Sequence, residues 1–157
     1  MREFVDSDHA GDMINRRSRT GFLIFLNNAP IYWFSKKQEI CETSSFGSEF
    51  IAMKSCCGYV RGLRYKLRMM GIPVELPTYI FGDDQSVLIN SSNPHSSIKK
   101  KSSSIAFYFV HEGAAKDEWW VAYINTNYNP AEMATKSLDG SEKRSCFTSY
   151  LLHYVYD

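Results

Sequence analysis

The first 40 residues alternate between apolar runs and short polar segments, which is the pattern of β-strands joined by turns. Residues 3–8 predict a short strand, and the apolar runs at 21–26 and 31–35 flank the turn-forming residues 27–30. Two such runs around a short turn are typical of a β-hairpin, and the polar residues 11–19 connect this hairpin to the first strand. The pattern therefore predicts three antiparallel strands.

From residue 45 the apolar positions change to the spacing of a helix. They recur every three or four residues, at Phe46, Phe50, Met53, Cys57, Val60, Leu63, Leu67 and Met70. Hydroxyl side chains at 43–45 can cap the start of a helix over 45–70, and Gly71 can end it. Gly58 and Gly62 lie inside, and each costs about 1 kcal/mol relative to alanine. We therefore expect a helix that depends on tertiary packing.

The rest of the chain alternates between extended and helical patterns. The predicted elements are a strand at 78–81, a helix at 85–90, a polar mobile loop at 91–104, a helix at 105–113, a buried strand at 119–124, a short helix at 130–136 and a helical stretch at 142–156. Together with the first three strands they predict an α/β fold. Its five-stranded mixed sheet has three antiparallel strands, then two parallel strands, and helices on both faces. Because crossover connections are right-handed, the fourth strand should lie beside the first and parallel to it.

The composition is that of a single globular domain. The 157 residues are 44% hydrophobic and 22% charged, which argues against a disordered chain. The formal net charge is only +1, so a nucleic-acid partner would need a local basic patch.

Cysteine spacing and hydropathy indicate which kinds of site and which cellular compartment to expect. The four cysteines lack the Cys-x-x-Cys spacing of a zinc or redox motif, and no apolar run approaches the roughly 18 residues that span a bilayer. We expect an intracellular protein, cytoplasmic or nuclear, that is not secreted and has no membrane partner. The first strand begins almost at Met1, which suggests a piece of a longer protein.

Four acidic residues fall at the ends of four predicted elements: Asp6, Glu49, Asp83 and Glu132. If the first and fourth strands are parallel neighbours, Asp6 and Asp83 converge at one edge of the sheet, and Glu49 can approach from the helix. Oxygen ligands favour Mg²⁺ or Mn²⁺, and two such ions can prepare a water for attack on phosphorus. Acids at element ends are common, so spacing alone favours ordinary surface or capping acids.

A series of short motifs runs through residues 4–138 in a fixed order. They read VDSDHAGD at 5–12, RRS and TGF at 16–22, APIYW at 29–33, SKKQ at 35–38, SSFGSEFIA at 44–52, FGDDQS at 81–86, NPH at 93–95, FYFVHE at 107–112 and AEMATKSL at 131–138. This order resembles the RNase H-like domain of copia-type LTR retrotransposon (retrovirus-related) Pol polyproteins. The resemblance implies an RNase H-like domain at 1–138, with a C-terminal helical extension at 139–157 that packs on it or trails it.

The resemblance also implies an activity. Members of this family are ribonuclease H-type endonucleases that hydrolyse the RNA strand of RNA/DNA hybrids during reverse transcription, using two Mg²⁺ or Mn²⁺ ions. Asp6, Glu49 and Asp83 match the family's first three catalytic, metal-binding acids, and Glu132 takes the place of a fourth, usually Asp. The implied partners are the hybrid and a reverse transcriptase of the same polyprotein, with the domain itself monomeric.

Several positions depart from the family's motifs. His9 and Gly62 each replace a Trp, and Gly47 replaces an acid. The extra methylene of Glu132 could move a ligand oxygen by about 1 Å, which can cost on the order of a hundredfold in rate. Activity is therefore expected to be impaired.

The family's basic block with a His and an acid reads here as three lysines followed by three serines. Lys99, Lys100 and Lys101 either contact phosphates as point charges or form a solvated charge run in a loop.

Two further hypotheses compete with an active nuclease. One is a catalytically decayed remnant that at most binds nucleic acid weakly, favoured by Gly62, Ser102 and Glu132. The other is a protein-interaction module that uses the aromatic residues at 150–156.

Overall fold

A five-stranded mixed sheet forms the centre of the computed structural model, which describes residues 1–92, 101–138 and 140–151. Its strands are β1 (Arg2–Asp8), β2 (Arg19–Leu26), β3 (Ala29–Lys37), β4 (Thr78–Gly82) and β5 (Trp119–Tyr123). Their order across the sheet is β3-β2-β1-β4-β5. The first three strands pair antiparallel, whereas β4 pairs parallel with both β1 and β5. The predicted fold class is therefore confirmed, including the parallel neighbourhood of the first and fourth strands.

Among the described residues, four α-helices accompany the sheet: α1 (Ser45–Met69), α2 (Gln85–Ser92), α3 (Lys101–Ala115) and α4 (Ser141–Leu151). Two 3₁₀ helices, Thr126–Tyr128 and Pro130–Ala134, lie between β5 and α4. The hydroxyl of Ser44 accepts a hydrogen bond from the backbone N–H of Gly47 at 3.2 Å, which caps the start of α1 as its sequence predicts. In the part of the chain that the structure describes, no helix is long and apolar enough to cross a membrane.

Two local predictions need correction. The loop predicted at 91–104 is helical at 91–92 and from Lys101 onward, and residues 93–100 lie outside the described residues. Serine is a weak helix former, but Phe107 and Val110 bury the same face of α3, and this packing overrides the local preference. The short helix predicted at 130–136 is a 3₁₀ helix that ends at Ala134.

Helices cover both faces of the sheet and bury a separate core on each. On one face, α1 and α3 pack on the sheet through residues that include Phe22, Ile24, Phe50, Val60, Val110 and Trp119. On the other face, Phe4, Phe25 and Ala131 are buried together, with Tyr150 and Leu151 of α4 packed against them. Strands β1, β2 and β4 therefore contribute side chains to both cores.

The second 3₁₀ helix lies directly against the end of β1. The side-chain amide of Asn129, which is fully buried, donates a hydrogen bond to the carbonyl oxygen of Val5 at 2.9 Å. A Cβ atom on Gly21, which pairs with Asp6 across the sheet, would come within 2.6 Å of Thr135 Cγ2 and 3.1 Å of the Ala131 carbonyl oxygen. The absence of a side chain at Gly21 therefore permits this close approach.

Candidate metal centre

Three acidic side chains from three different elements meet at one edge of the sheet. Asp6 lies in β1, Glu49 in the first turns of α1, and Asp83 directly follows β4. One carboxylate oxygen from each lies within 4.8 Å of the other two. Asp6 is 2% exposed, and the other two are half-buried. The sequence thus brings together three of its four candidate acids, because parallel β1 and β4 end at the same edge.

Burial and like charge both disfavour the ionised form of this acid cluster. Burial, together with the charges of Asp6, Asp83 and Asp84, raises the pKa of Glu49 to about 9. Burial also raises the pKa of Asp6, although a hydrogen bond from Thr135 and the charge of Lys136 oppose the shift. The ionised form of the cluster is therefore favoured only where a positive charge lies close to it.

The segment after the second 3₁₀ helix holds Asp6 in place. The hydroxyl of Thr135 donates a short hydrogen bond to Asp6 Oδ2. Asn129 caps the same 3₁₀ helix, since its side-chain oxygen accepts from the N–H of Ala131 at 3.2 Å while its amide contacts β1. Neither residue was singled out from the sequence. Thr135 falls within the AEMATKSL motif at 131–138, and this motif was the one feature of the sequence that could have indicated a role for it.

Glu132 lies beside the three acids but is not one of the group that shares the 4.8 Å separation. Its side chain is 9% exposed and ion-pairs with two lysines. Lys143 Nζ lies 3.1 and 2.8 Å from its two carboxylate oxygens, and Lys136 Nζ lies 3.2 Å from Oε1. Burial alone would raise the pKa of Glu132, but the two lysines outweigh it and lower the pKa. Its negative charge is thus already compensated, and its predicted role as fourth ligand stays a prediction.

Sequence relatives that match over most of the chain include transposon polyproteins. No protein-family model matches it. Over 146 residues, 93% of its length, it is 28% identical to the retrovirus-related Pol polyprotein from transposon TNT 1-94 of Nicotiana tabacum. Over 138 residues it is 25% identical to the corresponding polyprotein from transposon RE1 of Arabidopsis thaliana. The chain spans only 11% and 9% of these two relatives.

Solved structures agree on the fold. The crystal structure of LC11-RNase H1 in complex with an RNA/DNA hybrid matches with a TM-score of 0.65 and 12% identity, covering 85% of this chain and 92% of that chain. The chain has the RNase H fold. Together with the transposon relatives, this confirms the resemblance inferred from the ordered motifs.

Within this RNase H fold, the predicted basic contacts remain untested. Lys99 and Lys100 lie outside the described residues, and Lys101 begins α3 with a side chain that the structure does not describe. Their proposed contacts with phosphates therefore stay a prediction.

His9, which stands where the family's motif has Trp, is exposed and lies near the acid-bearing end of α1. Its Nδ1 atom is 3.3 Å from the hydroxyl oxygen of Ser48, the residue before Glu49. That hydroxyl donates to the Ser45 carbonyl oxygen at 2.8 Å, so it accepts from the Nδ1–H of His9.

Proposed function

We propose that this chain is the ribonuclease H-type endonuclease domain of a retrotransposon Pol polyprotein and hydrolyses the RNA strand of RNA/DNA hybrids. One observation carries the proposal: carboxylates from β1, α1 and the end of β4 converge within 4.8 Å on an RNase H fold. The polyprotein context is supported by the transposon relatives, and the substrate class by the hybrid held in the LC11-RNase H1 structure.

The acid cluster fits a pair of Mg²⁺ or Mn²⁺ ions. Its donors are all carboxylate oxygens, the hard ligands that these ions prefer. Asp6, Glu49 and Asp83 would hold the ions, with Glu132 as a weaker fourth acid. When bound, such ions activate a water and stabilise charge on the leaving oxygen of a phosphodiester. The raised pKa of Glu49 supports the fit, because burial and the neighbouring acids disfavour its ionised form and a bound cation would favour it.

The chain's own residues orient this site and give it a positive edge. Thr135 fixes the rotamer of Asp6 through its hydrogen bond. Burial alone would lower the pKa of Lys136, but the charges of Asp6 and Glu132 raise it, so Lys136 stays protonated beside the cluster. A protonated lysine at that edge can attract a phosphate of the substrate backbone.

The resemblance to Pol polyproteins also suggests the molecular context. We expect the domain to act as a monomeric unit, inside cells, beside a reverse transcriptase of the same polyprotein. Reverse transcription produces the RNA/DNA hybrid that this site would consume.

A cleavage assay with a matched pair of variants tests the proposal. The substrate is an RNA/DNA hybrid labelled on the RNA strand, incubated with Mg²⁺. Asp83→Asn should reduce cleavage by roughly a hundredfold or more, because it removes a charge that holds the metal. Glu75→Gln is the control, because it removes the same charge from an exposed acid outside the acid cluster. Equal cleavage by the intact chain and Asp83→Asn would contradict the proposal.

A second candidate function is a decayed domain that binds hybrids without cutting them. The observation that favours it is the pairing of Glu132 with both Lys136 and Lys143, which occupies the fourth acid. Salt-dependent binding of the hybrid, without Mg²⁺-dependent cleavage in a folded chain, would support this alternative.

A further inference from the structure

One ridge of α1 carries two lysines and two glycines at four-residue intervals: Lys54, Gly58, Gly62 and Lys66. Each four-residue step turns by only about 40° around the helix axis, so the four form an inclined ridge that rises about 18 Å, and all four line one cavity. A Cβ atom on Gly58 or Gly62 would meet nothing within 4 Å among the described residues. We call this open surface, with a lysine at each end, the α1 trough.

Aromatic rings form the wall of the α1 trough. Tyr59 projects from α1 against Tyr32 and Phe34 of β3, with ring centroids 5.1 and 5.5 Å apart, respectively. The rings of Tyr32 and Tyr59 are nearly parallel, at 27°, and Tyr59 remains 42% exposed. Together with Ile31 and Leu63, these residues line a cavity of about 580 Å³. Such a wall offers ring faces on which a flat group can stack.

The charges at the α1 trough are positive and uncompensated. No acidic residue lines its cavity, as far as the chain is described. Within residues 1–92, 101–138 and 140–151, neither Lys54 nor Lys66 has an ion pair. An apolar protein segment would leave both ammonium groups without a partner. A ligand that combines flat rings with negative charges satisfies both features, and this combination is the chemistry of nucleotides.

We propose that the α1 trough binds a single-stranded stretch of nucleic acid. Bases stack against Tyr59, and phosphates lie at Lys54 and Lys66. A length of 18 Å corresponds to up to about five nucleotides at a stacked rise of about 3.4 Å, whereas a free mononucleotide reaches one lysine alone. Gly62 follows Glu49 by thirteen helical positions, or about 20 Å, so this site is distinct from the acid cluster.

Binding of a fluorescein-labelled twelve-residue oligodeoxythymidylate, followed by anisotropy in EDTA, tests the proposal. Without divalent ions and with a DNA probe, the result is independent of the nuclease activity. The double variant Gly58→Leu/Gly62→Leu fills the trough with a better helix former, so the helix is retained. We expect it to weaken binding about tenfold or more, as loss of a stacked base does. Circular dichroism checks that the variant is folded.

Charge variants test the role of the lysines. Lys54→Ala/Lys66→Ala should reduce the slope of log affinity against log salt by about 1.4, the value for two phosphate contacts on a single strand. Each single variant, Lys54→Ala or Lys66→Ala, should reduce the slope by about 0.7, whereas Lys116→Ala, which removes one exposed positive charge directly after α3, is the control and should leave the slope nearly unchanged.

Competitors distinguish the possible ligands. The proposal predicts that unlabelled oligonucleotide displaces the probe at far lower concentration than thymidine monophosphate does, and that inorganic polyphosphate is a poor competitor. Equal competition by the monophosphate would assign a free-nucleotide site instead and overturn the single-strand proposal. Equal competition by polyphosphate would show that the probe binds by general charge attraction, and so would unchanged binding by Gly58→Leu/Gly62→Leu. Either result would overturn the single-strand proposal.

Discussion

At the scale of single residues, two buried glutamates set how stability should respond to pH. Glu3 is fully buried in the sheet, where burial raises its pKa to about 8 despite a hydrogen bond from the Cys56 thiol at 2.9 Å. Glu49 in the acid cluster has a pKa raised to about 9. Both ordinary values are 4.5, so the folded state favours the protonated form of each.

The unfolding free energy should therefore fall as pH rises when no divalent ion is present. The stabilisation is complete below pH 4.5 and is lost progressively until about pH 8 to 9. Between pH 4.5 and 7, each glutamate should lower the unfolding free energy by roughly 3 kcal/mol. Urea unfolding in EDTA at pH 5 and pH 8 measures this, and Glu3→Gln and Glu49→Gln should each reduce the difference. Stability that is flat or rising over this range would contradict the assigned burial.

The fourth acid shows where sequence reasoning about residues ends. Asp6, Glu49 and Asp83 could be grouped from the sequence because parallel strands and one helix end fix their positions. The partners of Glu132 could not be predicted in this way. Lys143 lies in α4, and the apolar pattern of α4 does not show which face of that helix meets the 3₁₀ helix. Long-range ion pairs depend on tertiary packing that periodicity does not encode.

At the scale of elements, glycines in different settings should respond oppositely to substitution. Gly62→Ala in α1 meets open space and should raise the unfolding free energy by about 1 kcal/mol. Gly21→Ala should lower it by about 1–3 kcal/mol, because the new Cβ would press on Thr135 and Ala134 at 2.6 and 2.9 Å. Urea unfolding of both variants makes the comparison. Equal shifts for the two would be incompatible with the packing of the 3₁₀ helix against β2.

Gly21→Ala should also reduce hybrid cleavage relative to Gly62→Ala. Gly21 pairs with Asp6 across the sheet, and displacing Thr135 removes the hydrogen bond that orients Asp6, whereas Gly62 lies on α1 about 20 Å along the helix from Glu49.

The elements predicted best are those with long, regular apolar patterns. The helix predicted at 45–70 differs from α1 by one residue, because its apolar face repeats over seven turns and its cap is a serine. The start of α3 was missed because three serines and a lysine run resemble a loop when their packing partners are unknown.

At the scale of the whole molecule, strand order followed from the handedness of crossovers, which placed β4 beside β1 before any contact was known. The C-terminal segment was harder to assign. Phe147 of α4 is 1% exposed, and Tyr150 packs edge-on against Phe4 with centroids 6.1 Å apart. Lys143 of the same helix reaches Glu132, so α4 completes one core and contacts the site. The proposed boundary between 138 and 139 stays a prediction.

The most direct measurement of the central claim is a calorimetric titration of Mg²⁺ into the folded chain at pH 7.5, with Asp6→Asn and Glu75→Gln in parallel. Glu75 is an exposed acid that lies outside the acid cluster. The account predicts saturable binding by the intact chain and by Glu75→Gln, and its loss in Asp6→Asn. Absence of binding in the folded chain, or equal binding by Asp6→Asn, would contradict a metal centre built from Asp6, Glu49 and Asp83.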